Sequence, residues 1–416
     1  MTWNGPHTAL ERFLRYVQID TQSDPASGET PTTRQQFDLA RLLAAELTDM
    51  GATEVECDDH AYVYATLPAT LAEPAGVPTL CFCSHVDTAP DVSGRGVRPQ
   101  VHRNYRGGPI VIDAASGLSI DEHEQPYLTE LRGHTVVTAS GDTLLGADDK
   151  AGVAAIMDAA HYLLAHPEIP HGRIRLLFTP DEEVGRGTVR VDLDKLGADF
   201  GYTLDGGEAG GLEGETFSAD AAVVTVTGVS AHPGYAKGKM TNAARVAGHL
   251  IAALPLEVHA PEATEGREGF VHLTDVSGGA ESARLAFILR DFATAQLDDH
   301  FAVLQSACAK TRERFPAARI EIERSEQYRN LGEVLARHPE VLAHAREAIR
   351  RVGLEVRESA IRGGTDGSRL SFMGLPCANL FTGMQMIHSR REYVSERDLN
   401  LAAATLVELV QVWAGR

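Results

Sequence analysis

Two kinds of apolar run alternate along the first half of the chain. Thr79–Ser84, Arg173–Thr179 and Phe200–Leu204 are short, apolar and rich in β-prone residues, and each predicts a strand. Lys150–Ala165 is Ala-rich with apolar residues at helical spacing, which predicts a helix. Such alternation predicts an α/β sheet with helices packed on it. The pattern then changes. Ala221–Thr227, Gly269–Val276, Arg284–Phe292 and Ala318–Arg324 read as strands, and Thr241–Ala253 and Thr294–Arg314 as helices. The order strand-helix-strand-strand-helix-strand predicts a small α+β sandwich of the ferredoxin-like kind.

The α/β pattern returns afterwards. Helix Pro339–Val352, strands Leu354–Ala360 and Pro376–Leu380, and a last helix from Glu396 are predicted, with a turn at Gly363-Gly364. A catalytic domain made of 1–212 and 326–416, with a mixed sheet flanked by helices, is therefore expected, interrupted by an inserted domain at 213–325. Gly206–Gly214 reads as the hinge into the insertion, and Ser325–Arg329 as the way back. Gly94–Glu130 has many turn residues and little periodicity, and reads as a long excursion from the sheet.

A length of 416 residues suits two domains better than one core. The 43% hydrophobic and 23% charged composition is that of a soluble globular protein, which sets fibrous and disordered classes aside. The formal net charge of −20 repels phosphate backbones and anionic lipids, so nucleic acid and membrane surfaces are poor partners. Met1–Tyr16 lacks the basic and apolar regions of a secretory signal. Cys57, Cys81, Cys83, Cys308 and Cys377 form neither a disulfide framework nor a C-x-x-C pair, and they fit a reducing cytosol.

Candidate chemistry gathers where strands are predicted to end, the usual place for ligands in open α/β sheets. His85 and Asp87 follow the first strand, on the same side of an extended chain. Asp148 stands just before the Ala-rich helix. The acidic run Asp181-Glu182-Glu183 follows the second strand, and Asp205 the third. His388 lies eight residues beyond the strand Pro376–Leu380. Each has an ordinary explanation when taken singly. H-x-D is a weak match, Asp148 suits a helix cap, and paired carboxylates are unremarkable on a surface. Asp205-Gly206-Gly207 suits a turn, and a single histidine is often structural. As a set, two histidines and three or four carboxylates supply the mixed N/O ligands that Zn²⁺, Mn²⁺ or Co²⁺ accept. An aspartate bridging two metals ~3.5–4 Å apart would make a hydrolytic site, with one further carboxylate as proton acceptor.

At these residues the sequence resembles the peptidase T family, within the superfamily of co-catalytic zinc aminopeptidases, carboxypeptidases and dipeptidases. The resemblance spans almost the whole chain. It is carried by SHVDTAPD at 84–91, NYRGG at 104–108, TLLGADDKAG at 143–152, FTPDEEVGRG at 178–187 and YTLDGG at 202–207. It continues in VSAHPGYAKGKMTNA at 229–243, ILRDF at 288–292 and IRGGTDGSRLSFMGLPCANLFTG at 361–383. The resemblance implies that His85 and Asp205 complete one metal site and Glu183 and His388 the other, with Asp148 bridging. It makes Asp87 the support of His85. Glu182 becomes the general base that deprotonates the bridging water and later protonates the leaving amine.

The resemblance further implies two divalent ions per subunit, Zn²⁺ first and Co²⁺ or Mn²⁺ next, and release of the N-terminal residue from tripeptides. The inserted domain dimerises by the same resemblance. Its His232 would reach the neighbouring subunit's active site to stabilise an oxyanion, although a turn role before Pro233 is the plain alternative. Asn242, Arg290 and Arg362 become candidate substrate contacts; the arginines serve equally well as structural ion pairs. One stretch departs from the family pattern. Where Gly-Tyr-Asn-Tyr/Phe-His-Gly-Lys-His-Glu is usual, the chain has Gly-Met-Gln-Met-Ile-His-Ser-Arg-Arg-Glu at 383–392. His388 keeps its offset, but the flanking Asn, Gly and second His are replaced. A dipeptidase, a carboxypeptidase, an N-acyl amino-acid deacylase or a catalytically silent binding protein would share most of these motifs.

Overall fold

The computed structural model describes residues 3, 5–72, 76–255 and 259–415. The chain divides into two compact units, one made of 1–214, 333–359 and 365–416 and the other of 215–332 and 360–364.

The first unit carries most of an eight-stranded sheet. Its strands lie in the order Thr53–Cys57, Val63–Leu67, Ile174–Thr179, Leu80–His85, Phe200–Gly206, Cys377–Phe381, Gly211–Thr216 and Arg357–Ile361. The four from Ile174–Thr179 to Cys377–Phe381 are mutually parallel. They are apolar and almost fully buried, as strands covered on both faces must be. Val63–Leu67 runs antiparallel to them on one side, with Thr53–Cys57 antiparallel to it in turn, and Gly211–Thr216 runs antiparallel on the other. The expected mixed sheet flanked by helices is thus present.

Helix Ala147–Ala165 lies on strands Leu80–His85 and Phe200–Gly206. Its Ala and Gly residues allow a close approach. A Cβ on Gly152 would stand 2.1 Å from the Leu204 carbonyl oxygen and 2.4 Å from Ser84 Oγ. Helix Glu396–Trp413 packs against it, and Pro339–Arg351 packs against Glu396–Trp413. The opposite face is filled by Cys81, Cys83, Leu177, Leu196, Leu370 and Cys377, under the short helices Leu193–Leu196 and Asp366–Met373. With Cys308 in the core of the other unit, four of the five cysteines are core residues.

Two expectations are corrected here. Gly206–Gly214 is no free hinge, because Gly211–Thr216 pairs with Cys377–Phe381. Ser325–Arg329 is no linker, because strand Arg319–Tyr328 takes up most of it, pairing along the whole length of Ser218–Thr227. Pattern alone missed these extensions, since Gly and Glu are poor strand formers held in place by their neighbours. Gly94–Glu130 carries three short strands, Gln100–His102, Ile110–Asp113 and Leu118–Ile120. Their apolar residues join Tyr105, Leu128, Val136 and Tyr393 in a separate cluster.

The second unit has four antiparallel strands in the order Phe270–Gly278, Ser282–Asp291, Ser218–Thr227 and Arg319–Tyr328. Counted along the chain this is second, third, first, fourth, with helices Ala243–Ala252 and Gln296–Arg314 after the first and third. That is the ferredoxin-like order. Alternate residues Ala222, Val224 and Val226 point into one core with Val246, Leu250 and Leu304. No helix among the described residues is long and apolar enough to cross a membrane.

Gly152→Ala tests the helix-to-sheet contact. Overpacking typically costs about 1–3 kcal/mol, and a rigid backbone oxygen at 2.1 Å places this change at the upper end. A lowered urea midpoint with an unchanged slope is expected.

Candidate metal centre and active site

The four parallel strands point the same way, so their carboxyl ends meet at one edge of the sheet. His85 is the last residue of Leu80–His85, and Asp205 lies one residue from the end of Phe200–Gly206. Glu182 and Glu183 open a 3-10 turn just after Ile174–Thr179. His388 sits at φ +58° in the loop after Cys377–Phe381. Asp148 leaves the helical conformation, with φ −79° and ψ 106°. Gly146 occupies the cap position and offers no side chain, and where the regular helix begins Asp149 Oδ1 accepts from Gly152 N at 3.3 Å. The Asp148 carboxylate is directed to the two histidines instead.

His85 Nε2 lies 2.9 Å from Asp148 Oδ1 and 4.0 Å from Asp205 Oδ1. His388 Nε2 lies 3.3 Å from Asp148 Oδ2 and 3.0 Å from Glu183 Oε2. Two three-residue groups result, His85/Asp148/Asp205 and Asp148/Glu183/His388, each with its donor atoms within 4.8 Å of one another. Asp148 gives one oxygen to each. Ligands ~2.0–2.1 Å from a common tetrahedral ion stand roughly 3.3 Å apart, so the spacing suits divalent cations. Glu183 Oε1 is buried with no hydrogen-bond partner, an arrangement that a cation would satisfy. Among the described residues no hydrogen bond reaches the side-chain oxygens of Asp205 or Glu182.

Burial and the neighbouring carboxylates set the electrostatics. Burial, with Asp149 and Asp148 close by, holds Asp205 well above the usual carboxyl range. Burial and the Asp148 charge push Glu183 up to about 7. Glu182 is raised well above its usual value, first by burial, then by Asp366, Glu183 and Asp87 against the opposing pull of His85. Asp148 goes the other way, because hydrogen bonds to His388 and His85 together outweigh its burial. The hydrogen bonds to Asp148 and Glu183 push His388 up to about 11.

A second set of carboxylates holds these loops in place. Asp87 is fully buried. Its Oδ1 accepts from Glu182 N at 3.0 Å and lies 3.3 Å from His85 Nδ1, while Oδ2 accepts from Glu183 N at 3.2 Å. One side chain therefore orients a histidine and the Glu182-Glu183 turn together. Asp181 faces away and accepts from Thr32 N, Thr32 Oγ1 and Gln36 Nε2. Two further buried carboxylates escaped the sequence reading. Asp366 accepts from Thr179 Oγ1 at 2.6 Å, and Glu392 accepts from three main-chain N–H groups beside Asp148. Both lie in or next to the quoted motifs, and only their burial sets them apart.

The four residues considered for substrate contact belong to the second unit. His232 is exposed, and its Nδ1 accepts from Gly234 N at 3.2 Å. Asn242 caps helix Ala243–Ala252 through Arg245 N. Arg290 donates to the carbonyls of Asp220 and Leu289 beside the Tyr328 ring. Arg362 donates to the carbonyls of Gly266, Glu268 and Thr264 and stacks on Phe217.

The sequence model of Peptidase family M20/M25/M40 matches residues 142–412. The chain belongs to this family. Curated relatives named Peptidase T match it over nearly their whole length. That of Geobacillus thermodenitrificans is 45% identical over 404 residues, covering 97% of this chain and 98% of the relative. That of Bacillus licheniformis is 43% identical over 407 residues, covering 98% of each. The fold is shared with aminopeptidase PepT from Bacillus cereus at TM-score 0.72 and 23% identity, covering 98% of both chains. It is also shared with the Bacillus subtilis YXEP protein, a dinuclear metal-binding peptidase of the M20 family, at TM-score 0.64 and 14% identity over 97% of both.

Removing divalent cations should leave the buried carboxylates repelling one another. A ligand held at a hundred times its Kd stabilises the folded state by about 2.7 kcal/mol per site. Chelation is therefore expected to lower the calorimetric midpoint, and added Zn²⁺, Co²⁺ or Mn²⁺ to restore it. An unchanged midpoint, with metal analysis showing that the cation has left, would contradict the site.

Proposed function

We infer that the protein is a metallo-aminopeptidase that releases the N-terminal residue from tripeptides. The observation that carries this reading is Asp148 shared between two ligand groups, with the half-buried Glu182 beside the ligand Glu183 and, among the described residues, its carboxylate not hydrogen-bonded. The Peptidase T relatives at 43 and 45% identity support the substrate class.

His85, Asp148 and Asp205 would hold one cation, and Asp148, Glu183 and His388 the other. Bound there, the two ions supply Lewis acidity and make water acidic enough to lose a proton near neutral pH. Glu182 takes that proton on its carboxylate and returns it to the nitrogen of the leaving amine. Its environment suits the role, because burial keeps a high proton affinity while no hydrogen bond ties up the carboxylate oxygens. Asp87 holds Glu182 through its main-chain N–H and His85 through Nδ1, so base and ligand keep a fixed relation.

Zinc is the proposed metal, with cobalt or manganese next. A homodimer formed through the second unit is proposed, as is a cytoplasmic location. His232 is proposed as the donor to the oxyanion in a neighbouring subunit. Asn242, Arg290 and Arg362 are proposed substrate contacts, and Arg362 would exchange carbonyl partners for a peptide carboxylate.

Incubation with a tripeptide, its N-acetylated form and the matching dipeptides tests the activity. Cleavage of the free tripeptide at its first bond is expected, and preference for the acetylated form would remove the aminopeptidase reading. In the same assay Glu182→Gln should keep both cations and lose about 10²–10⁴-fold in kcat. The cross-subunit role has its own test. Glu182→Gln and His232→Ala proteins, each weak alone, should regain part of the wild-type rate when mixed and allowed to exchange subunits. No regain, with mixed dimers detected by native mass spectrometry, would refute it.

A further inference from the structure

We propose that Glu392 is a positioning residue that fixes Asp148 against His388, and that the cation held by Asp148, Glu183 and His388 depends on it. The proposal rests on the two-cation reading of the site.

Glu392 is 1% exposed, four residues after His388. Its carboxylate accepts three main-chain hydrogen bonds. Oε2 takes those of Leu145 and Gly146, both at 2.8 Å, and Oε1 takes that of Asp148 at 2.9 Å. These amides stand in the turn just before the regular helical run that begins after Asp149, where successive free N–H groups favour an anion. A glutamine side chain, of the same shape, does not fit. A carboxylate only accepts, whereas an amide would turn N–H donors on one or two of the three N–H groups.

The connection closes a ring. From His388 the chain runs to Glu392, whose side chain binds the Asp148 amide. The Asp148 carboxylate then returns to His388 Nε2 at 3.3 Å. The loop bearing His388 is pinned at its base by the paired main chains of Gln385 and Tyr393, at 2.9 and 3.1 Å. Glu392 sits next to that base. The His388 side chain is 40% exposed, and among the described residues it also pairs with Asp91, 3.3 Å from Nδ1. The His388 side chain is not itself packed in the core; its loop is held by Met386 against the Tyr393 cluster, by hydrogen bonds around Ser389 and by the anchor at Glu392. His85, in contrast, ends a fully buried strand and is supported by Asp87. The two cation sites are therefore built unequally, one on the sheet and one on a loop tied down by Glu392.

The test compares wild-type, Glu392→Gln, Glu392→Asp and Val394→Ala proteins. Val394 is fully buried in the neighbouring strand Tyr393–Ser395, where it pairs with Val137, and it carries no polar group, so its truncation reports general destabilisation. Readouts are metal content after dialysis against a weak chelator, the Co²⁺ absorption spectrum, kcat and the thermal midpoint. Glu392→Gln is expected to retain about one cation, with affinity for the second weakened about 10–100-fold, the usual effect of losing a residue that orients a ligand. Its Co²⁺ spectrum should lose one component and kcat should fall. Glu392→Asp keeps the charge and should recover part of each. Val394→Ala should lower the midpoint and keep both cations. Glu392→Gln binding two cations at wild-type affinity would overturn the proposal, as would equal metal loss in Val394→Ala. If Glu392→Gln does not fold, Glu392→Asp decides, and wild-type metal affinity there overturns the proposal. Wild-type protein that binds no cation would instead overturn the two-cation reading itself.

Discussion

The structure depends on a conflict between like charges. Asp148, Glu182, Glu183 and Asp205 converge at one edge of a buried parallel sheet. Two like charges about 4 Å apart cost roughly 4 kcal/mol at an effective dielectric of about 20, before desolvation is counted. The imidazoles of His85 and His388 relieve part of this by binding Asp148 and Glu183. Among the described residues, oxygens of Glu182, Glu183 and Asp205 remain without donors. Divalent positive charge resolves the conflict, and a family of peptidases is where such an arrangement is put to use.

The carboxylates around the site fall into two groups by their partners. Asp87, Asp181 and Glu392 are saturated by N–H and O–H donors. Each fastens a loop that carries a functional group, and each sits where the chain leaves regular structure. Among the described residues Glu182 and Asp205 lack such donors and Glu183 meets only the His388 imidazole, so these three are held from behind by their own main chains. Fixing the loops with one set of anions leaves the other set free to meet a cation or a proton. The same residue type therefore serves as scaffold or as reagent according to whether backbone amides reach it.

The sheet explains why residues more than 300 positions apart come together. Parallel strands joined by right-handed crossovers bring every carboxyl end to one edge. His85, Glu183, Asp205 and His388 follow four such strands, and helix Ala147–Ala165 lays Asp148 across two of them through the close contact at Gly152. The ferredoxin-like second unit builds its own core by strict alternation along Ser218–Thr227.

Much of this was legible in the chain itself. Continuous apolar runs such as Leu80–His85 and the Ala-rich helix are local in origin, because a strand buried on both faces and a helix pressed on a sheet each impose their own periodicity. The order of strands and helices in the second unit, the candidate ligands and the motifs of the family could be read in the same way. Other features have no local signal. Gly211–Thr216 is a strand because Cys377–Phe381 offers it partners. Asp366 and Glu392 look like surface acids until folding buries them. Taken singly, composition and spacing favoured Asp148 as a helix cap over a metal ligand, and the backbone turn at Asp148 that aims its carboxylate at two histidines forms only once distant strands are side by side. The sequence determined which groups are available and which elements carry them. Tertiary structure decided which of the carboxylates meet backbone amides and which are left facing one another, since burial and partnership are properties of the packed chain.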